Sequence, residues 1–484
     1  MTLPQAVTAW LRQQCYIDGT WCDADGGGTL EVADPGTGAV MGTVPMMGAA
    51  ETDRAIAAAE VALPAWRAKT AAERAKIMKR MFDLMIEHQD ALGELLSREQ
   101  GKPLAEARGE IAYGASFIEW FAEEGKRAYG EVIPSHAADR RIVTLRQPIG
   151  VVAAITPWNF PNAMIARKLG PALAAGCTIV IKPASQTPFS ALAFALLGEM
   201  AGVPKGVINV VTGSARAIGG ALTASPTVRK LTFTGSTEVG RELMRQSADT
   251  IKKLSLELGG NAPFIVFDDA DVDAAVDGAM ISKFRNNGQT CVCTNRFYVQ
   301  DRVYDEFVTK LAERVKGQKV GYGLEEGTTL GPLIDEAAVA KVEEHLADAI
   351  AGGGTVLVGG QRSARGGTYF EPTVVADVTA DMLLAREETF GPLAGVIRFH
   401  DETEAIRLAN DSEFGLASYF YARDLSRVWR VAEALEAGIV GINTGLISTE
   451  VAPFGGIKQS GLGREGSRHG LEDFMEIKYL CMGI

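Results

Sequence analysis

The sequence predicts an α/β protein with doubly wound parallel sheets. Apolar runs of strand length alternate with helical segments from Gly150 to about residue 258, and a second such series runs from Pro263 to about residue 440. Apolar strands separated by helices are typical of parallel sheets that helices cover on both faces. A chain of 484 residues is also too long for one compact core, so we expect two or three domains.

The other segments predict smaller elements around these sheets. Residues 15–45 alternate between apolar and turn residues, which is typical of short antiparallel strands. Helical spacing of apolar residues extends from Asp53 to about Ala68, from Thr70 to about Gln100 and from about Leu104 to Arg127. Residues 131–149 have the pattern of an exposed ribbon that extends from the body of the protein.

Composition excludes several classes of function. The formal net charge of −12 argues against nucleic acid as the main partner. The six cysteines are scattered without a disulfide framework, which favours a reducing cytoplasm. The amino terminus has no signal-peptide pattern, and the longest apolar runs are too short to cross a bilayer. We therefore expect a soluble cytoplasmic protein that binds neither nucleic acid nor a membrane.

A polar turn before Cys291 is the strongest local candidate for a reactive site. Asn286-Asn287-Gly288 interrupts the helical pattern, and a β-prone run from Val292 to Val299 follows. Free backbone N–H groups at such a turn, together with nearby Arg285, favour a thiolate and hence a nucleophile. An isolated cysteine is more often a small buried apolar residue. The remaining motifs decide between these interpretations.

Further polar residues follow predicted strands, where open α/β sheets bind their ligands. Asn159 can direct an amide N–H at an oxyanion, and Lys182 can contact a nucleotide. Gly235-Ser236 lies between a strand and a helix, which is an anion-binding arrangement. Glu257 precedes two glycines and can act as a general base. Taken singly, each of these residues is more simply a turn or surface residue.

Three other patterns carry no function. Gly461 to Gly466 fits the dinucleotide spacing G-x-G-x-x-G, but no strand leads into it. Asp269 to Asp273 resembles a calcium loop without its central glycine and closing glutamate, so acidic residues that open a helix explain it better. Cys291-x-Cys293 lacks zinc spacing, and no metal is expected.

Six sequence blocks together resemble the aldehyde dehydrogenase superfamily, in the order and spacing of that family. Single blocks are weak, but six in register are specific, and the resemblance covers essentially the whole chain. Residues 286–293 and 453–461 further resemble the succinate-semialdehyde dehydrogenase branch. The six blocks are Pro157-Trp158-Asn159-Phe160-Pro161, Lys182-Pro183-Ala184-Ser185, Gly235-Ser236-Thr237, Glu257-Leu258-Gly259-Gly260, Gly288-Gln289-Thr290-Cys291 and Glu388-Thr389-Phe390-Gly391-Pro392.

The resemblance implies catalytic roles for three residues. Cys291 would attack the aldehyde carbonyl to give a thiohemiacetal. Asn159 and the backbone N–H of Cys291 would hold the oxyanion. Glu257 would activate the water that hydrolyses the thioester. The resemblance also implies that a neighbouring thiol, here Cys293, can form a reversible disulfide with the nucleophile under oxidation. Strand-like spacing would place both side chains on one face, although so short a loop is strained, so the disulfide stays an open alternative.

The resemblance also implies a nicotinamide cofactor. Lys182 and Glu388 would bind its ribose hydroxyls, Gly235 and Ser236 its pyrophosphate, and Phe390 would pack near the nicotinamide ribose. Trp158 and Leu258 belong to the same blocks and complete the expected cofactor site. Neutral Ser185 stands where NAD-preferring relatives often carry an acidic residue. We therefore expect NADP to be accepted and preferred, with NAD possible.

The expected substrate is succinate semialdehyde, whose distal carboxylate needs a fixed cation. Arg167 and Arg285 match the carboxylate-binding positions of this branch, and Ser448 would add a hydrogen bond. Glutarate semialdehyde stays open, because one methylene discriminates by only about 1–3 kcal/mol. A dehydrogenase that passes the thioester to coenzyme A is disfavoured by Glu257. A catalytically silent structural or binding homologue is disfavoured by the intact Cys291, Glu257 and Asn159.

These inferences define the expected domains. Residues 1–130 and 150–258 would form the cofactor-binding domain, and residues 259–440 the catalytic domain. Residues 131–149 and 470–484 would form a small β oligomerisation ribbon. Since an exposed ribbon needs a partner edge, we expect a homodimer or homotetramer.

Overall fold

A computed structural model describes residues 4–484, and its helices follow the predicted alternation with strands. Three short 3-10 helices lie at Gly125–Arg127, Ala248–Thr250 and Arg285–Gly288. The α-helices are α1 (Gln5–Thr8), α2 (Ala49–Arg67), α3 (Ala71–Glu87), α4 (Gln89–Gln100), α5 (Leu104–Glu124), α6 (Ala163–Ala175), α7 (Phe189–Ala201), α8 (Ala215–Ala224), α9 (Thr237–Ser247), α10 (Val272–Phe284), α11 (Asp301–Lys316), α12 (Glu336–Ala351), α13 (Leu383–Arg386), α14 (Glu402–Asn410), α15 (Leu425–Ala434) and α16 (Ser467–Glu472).

The strands group into two large sheets and three small ones. They are β1 (Cys15–Ile17), β2 (Thr20–Cys22), β3 (Thr29–Ala33), β4 (Val40–Pro45), β5 (Val132–Ile133), β6 (Arg140–Pro148), β7 (Val151–Ile155), β8 (Thr178–Lys182), β9 (Ile208–Val210), β10 (Val228–Thr234), β11 (Lys253–Glu257), β12 (Ala262–Val266), β13 (Thr294–Gln300), β14 (Thr355–Val358), β15 (Thr373–Ala376), β16 (Leu393–Phe399), β17 (Phe414–Gly415), β18 (Ala417–Tyr421), β19 (Ile439–Ile442), β20 (Ile457–Lys458), β21 (Gly461–Leu462) and β22 (Met475–Gly483).

The first large sheet has the order β2-β1-β9-β8-β7-β10-β11-β21. Strands β7 to β11 pair in parallel, whereas β1, β2 and β21 are antiparallel at the two edges. Helices α6 and α7 bury apolar side chains in the core on one face of this sheet, and α2, α8 and α9 do so on the other. The parallel strands therefore end at one shared edge, where Asn159, Lys182, Gly235 and Glu257 lie within four residues of a strand end.

The second large sheet has the order β14-β15-β16-β13-β12-β18-β19. All neighbours are parallel except β14, which pairs antiparallel with β15. Apolar side chains on its two faces belong to two separate cores. The predicted α/β class with doubly wound sheets is therefore confirmed.

Residues 131–149 and the carboxyl-terminal segment do form one ribbon. β22 pairs with β6 over nine residues, from Met475 opposite Pro148 to Gly483 opposite Arg140, and β5 covers the other side of β6. The outer edge of β22 carries no further strand among residues 4–484. Its solvent face includes Ile477 and Tyr479, which are 61% and 58% exposed.

One local prediction needs correction, and another agrees with the structure. The helix expected from Thr70 to about Gln100 is interrupted at His88, whose φ of −110° and ψ of 18° separate α3 from α4. The His88 ring packs on Trp10, with centroids 4.9 Å apart, and no turn residue in the sequence marks this break. The stretch from Asp269 behaves as predicted, because the Asp271 carboxylate caps α10 by accepting from the Ala274 N–H.

No helix among residues 4–484 is both long and apolar enough to cross a membrane.

Phe264 in β12 tests the packing of the second sheet. Its side chain is fully buried among the rings of Phe297, Phe307, Tyr419 and Tyr421. Phe264→Ala should lower the free energy of unfolding by about 3–5 kcal/mol, because the cavity cannot collapse among rigid rings.

Urea denaturation followed by tryptophan fluorescence measures this loss. Leu425→Ala is the control, since Leu425 is 70% exposed and should change the free energy by less than about 0.5 kcal/mol. Equal effects of the two substitutions would contradict the packing described here.

Candidate active site

Two cavities meet at Cys291. One has a volume of about 290 Å³, and Arg167, Arg285 and Ser448 lie in its wall. The other has a volume of about 230 Å³, and its wall includes Asn159 and residues from the ends of β10 and β11. Cys291 lines both cavities, so two molecules bound side by side would meet at this residue.

The turn that carries Cys291 is built from left-handed residues. Asn286, Asn287 and Gly288 have φ of +50°, +56° and +77°, a region that glycine enters freely and asparagine tolerates. The Asn286 side-chain amide donates to the carbonyl oxygen of Asn159 at 2.9 Å. The Asn-Asn-Gly sequence is thus required by backbone conformation, and it joins the cysteine turn to the asparagine turn.

Other polar side chains attach the same turn to the loop between α11 and α12. Asn287 Nδ2 donates to the Gly331 carbonyl at 2.8 Å, and Gln289 Oε1 accepts from the Ile334 N–H at 2.9 Å. All four residues are buried. The position of Cys291 is therefore set by hydrogen bonds from both sides of the cleft.

The resting thiol of Cys291 is not activated in the way that the sequence predicted. Burial raises its pKa to about 12; Arg167 and Arg285 favour the thiolate, while Glu388 and Glu257 oppose it. Desolvation outweighs the two guanidinium groups because charging an enclosed sulfur removes its hydration. In the ligand-free protein Cys291 is a neutral thiol, and the prediction of a low pKa is wrong.

Asn159 has one free N–H for a ligand. Its Nδ2 donates to the Gln289 carbonyl at 3.0 Å, and its Oδ1 accepts from the Phe160 N–H. An amide nitrogen carries two hydrogens, so one remains for an oxygen in the cavity. The Cys291 N–H also has no acceptor among the described residues. These two donors match the predicted oxyanion pair.

Glu257 lies in an unusual electrostatic setting at the end of β11. It is 3% exposed, and both its oxygens lack a hydrogen-bond partner among residues 4–484. Burial raises its pKa well above the usual range and Glu465 raises it further, against the opposing effect of Arg167 and Lys168. The ionised carboxylate is therefore a stronger base than an ordinary glutamate.

Glu465 is the counter-ion of two buried cations. Its carboxylate oxygens lie 2.7 Å from Arg167 Nε, an ion pair not aligned for a hydrogen bond, and 2.6 Å from Lys168 Nζ. Burial opposes its ionisation, but Lys168 and Arg167 outweigh this and hold its pKa below the usual value. The pKa values of the two neighbouring carboxyl groups are thus shifted in opposite directions, that of Glu465 downward and that of Glu257 upward.

Two glycines allow the backbone to come close to these groups. A Cβ at position 260 would lie 2.4 Å from the Cys291 carbonyl oxygen, and one at position 455 would lie 2.9 Å from Glu257 Oε1. Neither contact is tolerable for a real side chain. Gly260 and Gly455 are therefore needed for the shape of the site.

The side chains that line the 230 Å³ cavity are of the types that can bind a nicotinamide nucleotide. It is lined by Trp158 and Phe390, whose rings meet edge to face at 5.6 Å, and by Glu388, whose pKa burial raises to about 8. Glu388 accepts one hydrogen bond, from the Gly260 N–H, which leaves acceptor capacity for a hydroxyl. Gly235, Ser236 and Leu258 line the same cavity.

Two predicted cofactor residues lie outside the wall of this cavity. Lys182 ends β8, where burial lowers its pKa to about 8 and its Nζ donates to the Pro183 carbonyl. Ser185 is half-buried three residues later. Both follow the strand end next to the cavity, on the side towards which an extended nucleotide would continue.

The 290 Å³ cavity contains all three predicted substrate residues, in different states. Arg167 is engaged with Glu465, but its Nη2 has no partner. The Arg285 guanidinium forms no hydrogen bond or close ion pair within residues 4–484; it lies 5.3 Å from the Phe160 ring, and its charge acts on Glu106, which lines the same cavity. Ser448 lines the same space. One cation is thus held by an ion pair, and the other is free to contact a ligand.

Comparison with known proteins agrees with this arrangement. The model of the aldehyde dehydrogenase family matches residues 21–480. The chain belongs to this family.

Aldehyde dehydrogenases similar to the chain include semialdehyde enzymes of two kinds. A glutarate-semialdehyde dehydrogenase of Pseudomonas aeruginosa is 69% identical, with 98% of each chain covered. The NADP(+) succinate-semialdehyde dehydrogenase of Escherichia coli is 66% identical, again over 98% of each chain. The crystal structure of succinate-semialdehyde dehydrogenase from Burkholderia pseudomallei is 66% identical with a TM-score of 0.98, covering 98% of this chain and 99% of that one. The predicted family and fold are therefore confirmed.

Sequence reasoning missed Glu465, which lies in the glycine-rich stretch set aside as functionless. That stretch has no dinucleotide role here: Gly461 pairs with Glu257 at the edge of the first sheet, and Glu465 enters the aldehyde dehydrogenase site. Only the identity of its neighbours in space reveals this role, since a glutamate between glycines carries no signal of its own.

The reasoning about Cys293 was wrong in its geometry. β13 begins at Thr294, and the Cys293 N–H closes a turn on the Thr290 carbonyl at 2.9 Å. Cys293 lines neither cavity; its sulfur lies 3.4 Å from Lys283 Nζ. Strand-like spacing therefore does not place the two thiols on one face, and both are free.

Within residues 4–484, no group of three or more His, Cys, Asp or Glu side chains could hold a metal ion.

The neutral state of Cys291 predicts its alkylation profile. In the ligand-free enzyme, the rate of inactivation by iodoacetamide should rise about tenfold per pH unit from pH 7 to 10 without a plateau, because only the thiolate reacts and the pKa is about 12.

Residual activity after timed exposure measures this rate, and alkylation of free cysteine in the same buffers serves as the control. A plateau for Cys291 below pH 8 would contradict a thiol whose pKa is raised by burial.

Proposed function

We propose that this aldehyde dehydrogenase oxidises succinate semialdehyde to succinate with NADP, and that glutarate semialdehyde is its alternative substrate. One observation carries the proposal: the Arg285 guanidinium has no ion pair within 4 Å among residues 4–484 and lies in the wall of the cavity that also contains Cys291. A cation removed from water stabilises a bound carboxylate far more than one on the surface. An aldehyde with a distal carboxylate meets both the cation and the nucleophile.

The chemistry follows from the placement of three groups. A bond forms between Cys291 Sγ and the aldehyde carbon as the thiol proton passes to solvent, and the electron pair of the C=O π bond moves to the oxygen, which becomes an oxyanion held by Asn159 Nδ2 and the Cys291 N–H. A nicotinamide cofactor, when bound, supplies the hydride acceptor. Ionised Glu257 then takes a proton from the water that attacks the thioester carbon, and the S–C bond breaks to release the acid.

The charge of the cavity does not decide which length of substrate carbon chain the enzyme prefers. Succinate and glutarate semialdehydes differ by one methylene, worth only about 1–3 kcal/mol in a pocket. Similar relatives carry both names, which supports retaining both substrates.

NADP preference is proposed from the residues after β8. Ser185 brings no negative charge to oppose a 2′-phosphate, and Lys182 lies three residues before it. Burial lowers the pKa of Lys182 to about 8, so a phosphate nearby would favour its charged form. The Escherichia coli relative is named as NADP-dependent.

The quaternary state and location are part of the same proposal. The open edge of β22 and its exposed Ile477 and Tyr479 need a partner edge, so we expect a homodimer or homotetramer in the cytoplasm. The cofactor domain (1–130 and 150–258), the catalytic domain (259–440) and the ribbon (131–149 and 470–484) remain our proposed units.

Arg285→Ala should raise KM for succinate semialdehyde about a hundredfold and leave butanal within about twofold. The reason is that the distal carboxylate loses its unpaired cation, a loss of about 3 kcal/mol. Arg302→Ala is the control, because the Arg302 side chain is 80% exposed and should have no effect on either substrate.

Arg167→Ala provides the contrast. Like Arg285→Ala, this substitution should raise KM for succinate semialdehyde. Unlike Arg285→Ala, it should lower the melting temperature, because Glu465 would lose a buried counter-ion at a cost of about 3–5 kcal/mol. Steady-state kinetics and thermal unfolding measure both effects. Equal losses on succinate semialdehyde and butanal for Arg285→Ala would refute the substrate assignment.

Ser185→Glu should lower kcat/KM for NADP about tenfold or more and change kcat/KM for NAD far less, since a carboxylate would repel the 2′-phosphate. Ser185→Ala, which removes the hydroxyl without adding charge, is the matched control. Absorbance of the reduced cofactor at 340 nm measures both rates. A wild-type ratio of NAD over NADP well above unity would overturn the preference.

A further inference from the structure

The wall of the substrate cavity, which also includes Glu106 and Glu110, contains a polar residue that no sequence motif identified. Tyr113 projects from α5 into the wall formed by Arg167, Arg285 and Ser448. Its hydroxyl oxygen is buried and has no hydrogen-bond partner among residues 4–484. A buried hydroxyl without a partner is unfavourable, so its position calls for a ligand.

The surroundings of this hydroxyl are donors. Burial raises the pKa of Tyr113, while Arg167 and Arg285 both act to lower it, so both guanidinium groups lie within electrostatic reach. The Ser448 hydroxyl is its polar neighbour, although the two are not aligned as a hydrogen bond. Because its pKa is above 10, Tyr113 keeps its proton at neutral pH and acts as a donor.

Four chain segments bring these donors together. Tyr113 comes from α5, Arg167 from α6, Arg285 from the 3-10 helix before the cysteine turn, and Ser448 from the loop after β19. The Tyr113 ring packs edge to face on Phe117 with centroids 5.0 Å apart, which fixes the direction of its hydroxyl.

Helix α5 is also joined to the loop that carries Ser448, close to Tyr113. The Ser116 hydroxyl donates to Glu450 Oε2 at 3.2 Å, which ties α5 to the loop that carries Ser448. A carboxylate offers about four lone-pair positions. The N–H and O–H groups available for these lone-pair positions belong to Arg167 Nη2, Arg285, Ser448 and Tyr113.

We propose that Tyr113 is a specificity-determining residue whose hydroxyl donates a hydrogen bond to the distal carboxylate of the semialdehyde. This inference deepens the proposed function and rests on it. Tyr113 contacts the end of the substrate remote from the reacting carbon. Its contribution is therefore the same before and during the reaction, and it lowers KM without changing kcat.

Tyr113→Phe tests the proposal, because it removes only the hydroxyl and keeps the ring on Phe117. The variant should raise KM for succinate and glutarate semialdehydes about tenfold, as expected for a lost hydrogen bond to a charged group. KM for butanal and kcat for all three substrates should stay within about twofold. Tyr129→Phe is the matched control, since Tyr129 is 69% exposed and lies outside this cavity.

Thermal unfolding separates binding from a structural role. Loss of an unpartnered hydroxyl should leave the melting temperature of Tyr113→Phe unchanged or slightly higher. A fall of several degrees, or equal effects on butanal and the semialdehydes, would overturn the inference, as would unchanged kinetics on every substrate. If the wild-type enzyme shows no preference for semialdehydes over butanal, the proposed function itself fails; if the preference exists and Tyr113→Phe retains it, only the inference fails.

Discussion

The buried ion cluster of Glu465 with Arg167 and Lys168 is the constraint on which the site depends. A single carboxylate is shared by two cations that are both almost fully enclosed, and removing the carboxylate would leave two uncompensated charges in the interior. The cluster also acts on neighbouring Glu257, whose pKa is raised by its own burial and further by Glu465, while Arg167 and Lys168 oppose both effects. Base strength at Glu257 thus depends on its burial and on these neighbouring charges.

The cysteine turn is a second, conformational constraint that acts together with this electrostatic one. Three consecutive left-handed residues are unfavourable for most side chains, and hydrogen bonds from Asn286 to Asn159 and from Asn287 to Gly331 compensate for them. The nucleophile and the oxyanion donor therefore cannot move independently. Because the thiol of Cys291 is neutral at rest, the ligand-free enzyme is protected from indiscriminate oxidation and alkylation.

Much of the fold could be predicted because the sequence signals for its elements are local. Apolar strands, helix caps and strand-end polar residues are each visible within about ten residues of sequence, and six such blocks together resembled one family. The structure places Cys291 and Asn159 in the wall of one cavity and Glu257 at the end of β11. What failed depends on groups distant in sequence. The pKa of Cys291 follows from enclosure by several segments, the orientation of Cys293 depends on Lys283, and Glu465 acquires its role only by contact with α6. The break between α3 and α4 at His88 likewise reflects packing on Trp10, and no turn residue in the sequence predicts this break.

The return of the chain to the first sheet at β21 has an evolutionary consequence. The residues of the site extend from Tyr113 to Glu465 in sequence. They come from elements next to both large sheets and from the segment that returns from the second sheet to the first. No contiguous part of the chain therefore contains all the functional groups of the site. Such an architecture resists shuffling of modules between genes. New substrate preferences in this scaffold should therefore arise by point substitution around the two cavities, with the polypeptide inherited as one indivisible unit.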